Sequence, residues 1–292
     1  MSRRGLYVIG RAATMSLVAG LLTACSGQFW VNTLTPSWGH TRHADIAYGD
    51  LARQHLDIYS PSEPAPGRPV VVFFYGGSWQ EGNKDGYRFV GQALASRGIT
   101  AVIPDYRLYP QVTFPGFIED GAAAVAWTRA HIDEYGGNGK DLFLAGHSAG
   151  AHIAAMLAVA PDYLAAVDVP REDIRGLIGM AGPYDFLPII DPTLQTIFAP
   201  ESGWPRTQPI NFVDASVPPT LLLHGLADET VLPKNTRHMA EKINASGGNA
   251  KTKYYPDVTH VMLIAPLAAV LRFKGDELDT VAAFVKKHAT DS

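Results

Sequence analysis

The sequence predicts an α/β fold with a mostly parallel central sheet and helices on both faces. Two features carry that prediction. From about Asp45 onward, short runs rich in Val, Ile and Leu alternate with longer amphipathic stretches, and such βα alternation argues for a parallel sheet. The runs are almost continuously apolar and are bounded by Gly or Pro, as strands buried on both faces require. Composition agrees. With 47% hydrophobic and 18% charged residues over 292 positions and a net charge of −4, the chain is not of the disordered class. A single cysteine excludes a disulfide framework and a cysteine-based zinc site. The mild acidity also speaks against a nucleic-acid partner, which calls for clustered Lys and Arg.

Taken in order, strands are expected at Leu56–Tyr59, Val70–Tyr75, Thr100–Ile103, Leu142–Ala145, Ile174–Gly179, Thr220–His224 and Lys253–Tyr255. Helices are expected at Tyr87–Arg97, Phe117–Ile132, Ala149–Val159, Lys234–Ser246 and Asp276–His288. Gly98, Gly247 and Gly248 follow predicted helix ends, where glycine terminates helices well. Pro183 to Pro219 breaks the rhythm, with eight prolines and the aromatics Phe186, Phe198, Trp204 and Phe212. An insertion of this length is read as a small folded cap over the strand ends.

The N-terminus reads as an address rather than as fold. Arg3, Arg4 and Arg11 precede an uncharged run, Ala12–Ala24. Thirteen residues are too few to span a bilayer as a helix and suit the core of a signal peptide. The run ends Leu22-Thr23-Ala24-Cys25, which resembles the lipobox of bacterial lipoproteins. That resemblance implies cleavage before Cys25 and lipidation of its thiol and new amino group; acyl chains add about 0.8 kcal/mol per buried CH₂ to membrane anchoring. Cleavage at an ordinary secretory site nearby, leaving Cys25 a free thiol, is the alternative. Removing the leader takes away three of 24 basic residues and none of 28 acidic ones, moving the net charge to −7. The expected organisation is therefore a leader over 1–24, a tether over 25–44 and a catalytic domain over 45–292, with the cap-like insertion at 183–219.

The strongest chemical signal is Gly146-His147-Ser148-Ala149-Gly150, which joins a predicted strand to a predicted helix. G-x-S-x-G in that context is a nucleophile elbow, with the serine on a sharp turn at a helix N-terminus. The plainer reading is a helix N-cap serine between two turn glycines. Serine needs an adjacent base, and in this arrangement the acid and then the histidine follow along the chain. His260, in the loop after the last predicted strand, fits the base. Asp228, in the loop after Thr220–His224, fits the acid; Asp257 and Glu229 are its rivals. Gly76-Gly77-Ser78-Trp79 follows Val70–Tyr75, so the amides of Gly77 and Ser78, with that of Ala149, are the candidate oxyanion hole.

YGGSW, DYRLYP, GHSAGAH and HGLAD, with His260 after them, resemble the α/β-hydrolase carboxylesterases. The likeness is greatest to the branch containing hormone-sensitive-lipase-like esterases, feruloyl-type esterases and kynurenine formamidases, over about Asp45 to Lys287. It implies an α/β-hydrolase fold, a Ser–Asp–His triad and an acyl-enzyme route on small carboxylic esters, without a cofactor. Tyr75 is a departure, because the family usually has there a histidine that supports the oxyanion loop. Other residues have structural readings: His147 packs beside the elbow, His152 and His224 belong to the core, and Asp105 pairs with Arg107. No run has metal-ligand spacing such as H-E-x-x-H.

These observations predict a serine esterase, lipid-anchored on the periplasmic side of a bacterial envelope, the outer membrane being favoured because Ser26 replaces the inner-membrane retention aspartate. Cleavage of amides or N-formyl amides is the alternative activity. A catalytically idle envelope-binding lipoprotein is the alternative of a different class.

Overall fold

A computed structural model describes Gly27, residues 30–63 and residues 65–290. The leader and Cys25 lie outside the described residues. Eight strands form one sheet: β1 His40–Ala47, β2 His55–Pro61, β3 Arg68–Phe74, β4 Thr100–Pro104, β5 Gly137–His147, β6 Ile174–Met180, β7 Thr220–Gly225 and β8 Ala250–Tyr255. Their spatial order is β1-β2-β4-β3-β5-β6-β7-β8. β1 pairs antiparallel with β2, and β2 antiparallel with β4, whereas β4-β3-β5-β6-β7-β8 is parallel throughout. All seven expected strands are present, several one to three residues longer, and β5 is extended by its Gly137-Asn138-Gly139 start.

Five longer helices accompany the sheet: α1 Arg88–Ala95, α2 Gly116–His131, α3 Ala149–Val159, α4 Lys234–Ala245 and α5 Glu277–His288. The central strands β3 and β5 are buried on both faces from Val70 to Phe74 and from Asp141 to His147. Every residue of α3 is buried as well. Its run of alanines lets it lie close to the sheet, while Ile153, Met156 and Leu157 fill the gaps; each such side chain contributes about 1.5–3 kcal/mol when buried.

The stretch read as a tether contains structure. Residues 30–33 are helical, and β1 begins at His40 rather than after residue 44. This strand was hidden because it is a half-exposed edge, HTRHADIA, with no apolar alternation. Charge holds it instead. Asp57, fully buried on β2, accepts from the Arg42 guanidinium at 2.5 and 2.8 Å and from the Asp45 amide at 3.0 Å. The Lys84 ammonium, also buried, lies 3.1 Å from the same carboxylate.

The proline-rich insertion is folded. A short helix spans Pro192–Ile197 and 3₁₀ turns span Glu201–Thr207 and Pro209–Phe212, with Phe198 and Trp204 buried beneath them. Breaking a buried ion pair by removing one charge typically costs 3–5 kcal/mol. Asp57→Asn is therefore expected to destabilise the protein by about 3 kcal/mol, read as a lower urea midpoint at unchanged slope; a midpoint equal to wild type would show that β1 needs no buried counter-charge.

Candidate active site

The parallel strands end at one rim, where the loops after β3, β5, β6, β7 and β8 meet. At the end of β5 the chain must reverse into α3 within one residue. Ser148 makes that turn with φ 55° and ψ −124°, a strained conformation for a residue with a side chain. Its amide donates to the Met180 carbonyl at 2.9 Å, continuing the β5–β6 ladder, and its side chain makes no capping bond. The N-cap reading is thus set aside. The flanking glycines are sterically required. A Cβ on Gly146 would lie 2.3 Å from the Gly150 backbone, and one on Gly150 would lie 2.0 Å from the Phe74 carbonyl oxygen.

The loop after β3 faces this turn. A Cβ on Gly76 would sit 3.0 Å from the Ser148 Cβ. Gly77, Ser78 and Trp79 all take positive φ, at 132°, 52° and 59°. The Gly77 carbonyl accepts from the Gln80 and Glu81 amides at 2.9 and 3.0 Å, closing a tight turn. Among the described residues, no protein acceptor takes the amide hydrogens of Gly77, Ser78 or Ala149.

Tyr75 anchors the start of this loop. Its hydroxyl donates to Asp105 Oδ1 at 2.7 Å and accepts from Arg53 at 2.8 Å, and its carbonyl accepts from the Tyr106 hydroxyl at 2.7 Å. The same Asp105 oxygen accepts the Lys84 amide at 2.7 Å, and Arg53 also donates to the Gly82 carbonyl at 2.8 Å. Both ends of the 75–84 segment are therefore tied to Asp105 and Arg53. The expected Asp105–Arg107 pair does not form: Arg107 pairs with Asp120 at 2.8 Å, leaving Asp105 to the loop.

The candidate acid and base converge from the loops after β7 and β8. His260 Nδ1 lies 2.7 Å from Asp228 Oδ2; the carboxylate accepts, so Nδ1 carries the proton and Nε2 is left with a lone pair. Nε2 has no protein partner among the described residues, and the Ser148 hydroxyl is not bonded to it. Asp228 is buried. Its Oδ1 accepts the Thr230 and Val231 amides, both at 2.9 Å, and Oδ2 also lies 3.3 Å from His224 Nε2. Burial pushes this carboxyl up, but the hydrogen bonds from His224, His260 and Val231 outweigh it and hold the group well below the ordinary carboxylate range. Asp257 and Glu229, the rivals in sequence, are exposed.

Two contacts escaped the sequence reading. His224, expected only as core, braces Asp228. It is itself held by Thr236 Oγ1 at 2.7 Å and the Val231 carbonyl at 2.8 Å. His147 reaches His260: its Nε2 lies 3.1 Å from the His260 carbonyl oxygen, and the two rings are 4.7 Å apart. Only the G-x-S-x-G spacing hinted at the second contact, by placing His147 next to the turn. His152 is a core histidine, donating through Nε2 to the Thr207 carbonyl at 2.8 Å. Beside it Trp79 packs edge-on, 5.2 Å away, and the proline-rich insertion adds Phe198 at 4.8 Å and Phe186 at 6.2 Å from Trp79. Among the described residues no group of three or more His, Cys, Asp or Glu side chains could hold a metal, and no helix is long and apolar enough to cross a membrane.

Sheet order, elbow and acid–histidine placement define an α/β-hydrolase fold. Solved structures agree on the fold. Esterase B from Lactobacillus rhamnosis superposes with a TM-score of 0.75 at 19% identity, covering 95% of this chain and 96% of that one. A truncated carbohydrate esterase from gut microbiota gives 0.73 at 20%, covering 88% and 100%. The chain belongs to the BD-FAE family, which matches residues 56–243. It is 30% identical to a probable isoprenylcysteine alpha-carbonyl methylesterase of Arabidopsis thaliana, over 75% of this chain and 50% of that protein. It is 29% identical to the esterase LipC of Mycobacterium tuberculosis, over 68% and 54%. The chain thus spans about half the length of these two curated relatives.

Burial holds His152 neutral, pushing its pKa down from 6.5 to about 4 despite the Thr207 bond. A histidine free in the unfolded chain titrates near 6.5, so stability from the neutral ring is complete above that pH. It is lost as pH falls from 6.5 toward 4, where the unfolded chain binds a proton that the native chain refuses; the slope is about 1.4 kcal/mol per pH unit. His152→Phe is expected to flatten the fall in unfolding free energy between pH 6.5 and 4.5 by that slope. Urea titrations at several pH values check this, and parallel wild-type and variant curves would refute it.

Proposed function

We propose that this protein is a serine esterase that cleaves small carboxylic esters through an acyl-enzyme intermediate. Ser148 Oγ attacks the ester carbonyl while His260 Nε2 accepts the hydroxyl proton. The tetrahedral oxygen takes its negative charge toward the amides of Gly77, Ser78 and Ala149, at the positive end of α3, where such stabilisation is usually the largest catalytic contribution. His260 then gives its proton to the leaving alkoxide, and the carbon–oxygen bond breaks to release the alcohol. Water, deprotonated by the same imidazole, attacks the acyl carbonyl, and the imidazolium returns that proton to Ser148 Oγ as its bond to the acyl carbon breaks and the acid leaves. Asp228 fixes the Nδ1–H tautomer and stabilises the imidazolium.

The observation that carries this reading is the 2.7 Å Asp228–His260 bond at the rim where Ser148 turns. It leaves the imidazole lone pair available and the unpaired amides nearby. No hydrogen bond joins Ser148 to His260 among the described residues, which accords with a catalytic bond that forms only when substrate binds. Trp79, Phe186 and Phe198 form an apolar cluster, of which Phe186 is the partly exposed member, and beside it the acyl or alcohol portion would lie. Esterase names among the relatives support the same class.

Ser148→Ala is expected to reduce kcat on p-nitrophenyl acetate by at least about 10³-fold, with wild-type folding by circular dichroism and no labelling by a fluorophosphonate probe. Unchanged turnover would refute the assignment. Running an N-formyl amide beside the ester separates the two hydrolase activities; faster amide turnover would reassign the substrate class.

We infer also that Cys25 carries lipid and holds the enzyme on the periplasmic side of a bacterial envelope. Support lies in the Arg-rich start, the uncharged run and Leu22-Thr23-Ala24-Cys25. Expression in a bacterial host with labelled palmitate is expected to mark the wild type and not Cys25→Ser. Equal labelling of both, or of neither, would remove the anchor.

A further inference from the structure

His147 occupies the variable position of the elbow and takes no part in the chemistry above, yet it touches the base. Its ring is buried at the end of β5, one residue before the strained turn. The His260 carbonyl can only accept, so at 3.1 Å His147 Nε2 must donate, and its proton is fixed there. The other edge of the ring faces the loop after β3, where a Cβ on Gly76 would lie 3.3 Å from Nδ1. The ring thus fills the space between the elbow, the candidate oxyanion loop and the base.

We propose that His147 is a positioning residue that seats His260 against Ser148. The proposal rests on reading His260 as the base. Asp228 fixes the side chain of His260 through Nδ1, but its loop has little regular structure around it: Pro256 and Asp257 form a turn in which Asp257 takes φ 56°, and Val258 and Thr259 are irregular. The bond to the His260 carbonyl ties that backbone to the rigid end of β5. The tilted ring contact at 4.7 Å limits how far the imidazole can swing about Asp228. Because β5 also carries Ser148, one strand end locates both partners of the proton transfer.

The arrangement needs His147 neutral while His260 is cationic, since two charged rings 4.7 Å apart would repel. Burial, followed by the influence of His260, pushes His147 down to about 3. It therefore stays an uncharged donor across the working range.

The test uses the full chain with p-nitrophenyl acetate and compares His147→Phe with His147→Gln, whose amide N–H reaches about as far as Nε2. His147→Phe is expected to lower kcat by about 10- to 100-fold with KM within about twofold of wild type, and His147→Gln to recover most of the loss. Fluorophosphonate labelling of Ser148 should slow in parallel. If His147→Phe does not fold, His147→Asn, too short to reach the carbonyl, replaces it. A folded Phe or Asn variant with wild-type kcat, or a Gln variant as impaired as it, would overturn the proposal. Controls with Ser148→Ala and His260→Ala keep the two readings apart: if both are inactive while His147 variants are unaffected, only the positioning role fails. If both retain activity, the triad reading itself falls.

Discussion

The whole rim is built around a steric constraint, the absence of room for a Cβ at three points around Ser148. Gly150 must pass 2.0 Å from the Phe74 carbonyl at the position a Cβ would take, Gly146 must clear Gly150, and Gly76 must clear Ser148 itself. Those approaches let β3, β5 and α3 meet at a single corner. They force Ser148 into positive φ, which turns its hydroxyl out of the sheet and leaves the Ala149 amide at the open end of a helix. The strain is held by the buried C-terminal ends of β3, β5 and β6, which give the backbone no route to relax.

A second chain of contacts carries order from the sheet edge to the loop after β3. Arg42 on β1 and Lys84 share Asp57; Lys84 passes its amide to Asp105; Asp105 takes the Tyr75 hydroxyl; and Arg53 joins Tyr75 to Gly82. Tyr75 also lies stacked between Tyr87 and Tyr106, at 5.3 and 4.7 Å. A phenol in this place reaches a carboxylate and a guanidinium at once while keeping its ring in apolar company. Tyr75 thus pins the loop through its hydroxyl, and the polar edge strand β1 connects to the same loop through Asp57 and Lys84.

Most of this architecture was legible because its signals are local. Two-sided burial writes continuous apolar runs, which marked the inner strands, whereas the exposed edge strand β8 was legible only in its last three residues; the elbow confines its glycines to a five-residue motif. What was missed is non-local or lacks a pattern. The edge strand β1 is held by Asp57 rather than by apolar alternation. Arg107 could be seen near both Asp105 and Asp120 along the chain, but only the fold decides between them. The brace from His224 to Asp228 depends on how the 225–231 loop folds back, and the contact from His147 to His260 joins residues 113 positions apart. Sequence spacing gave the residue types; it could not say which nitrogen faces which oxygen.

That last distinction separates the histidines chemically. His147, His152 and His224 are buried, and each directs Nε2 at a backbone carbonyl, of His260, Thr207 and Val231 respectively. A carbonyl cannot donate, so all three carry the proton on Nε2 and act as fixed donors. His260 alone is partly exposed and directs Nδ1 at a carboxylate, which puts its proton there and its lone pair outward. The same side chain is therefore used in opposite tautomers within one rim. A buried imidazole whose Nε2 meets a carbonyl serves as structural cement, His224 adding the Asp228 carboxylate at 3.3 Å; His260, bonded to that carboxylate through Nδ1, is the one of the four whose Nε2 has no partner among the described residues.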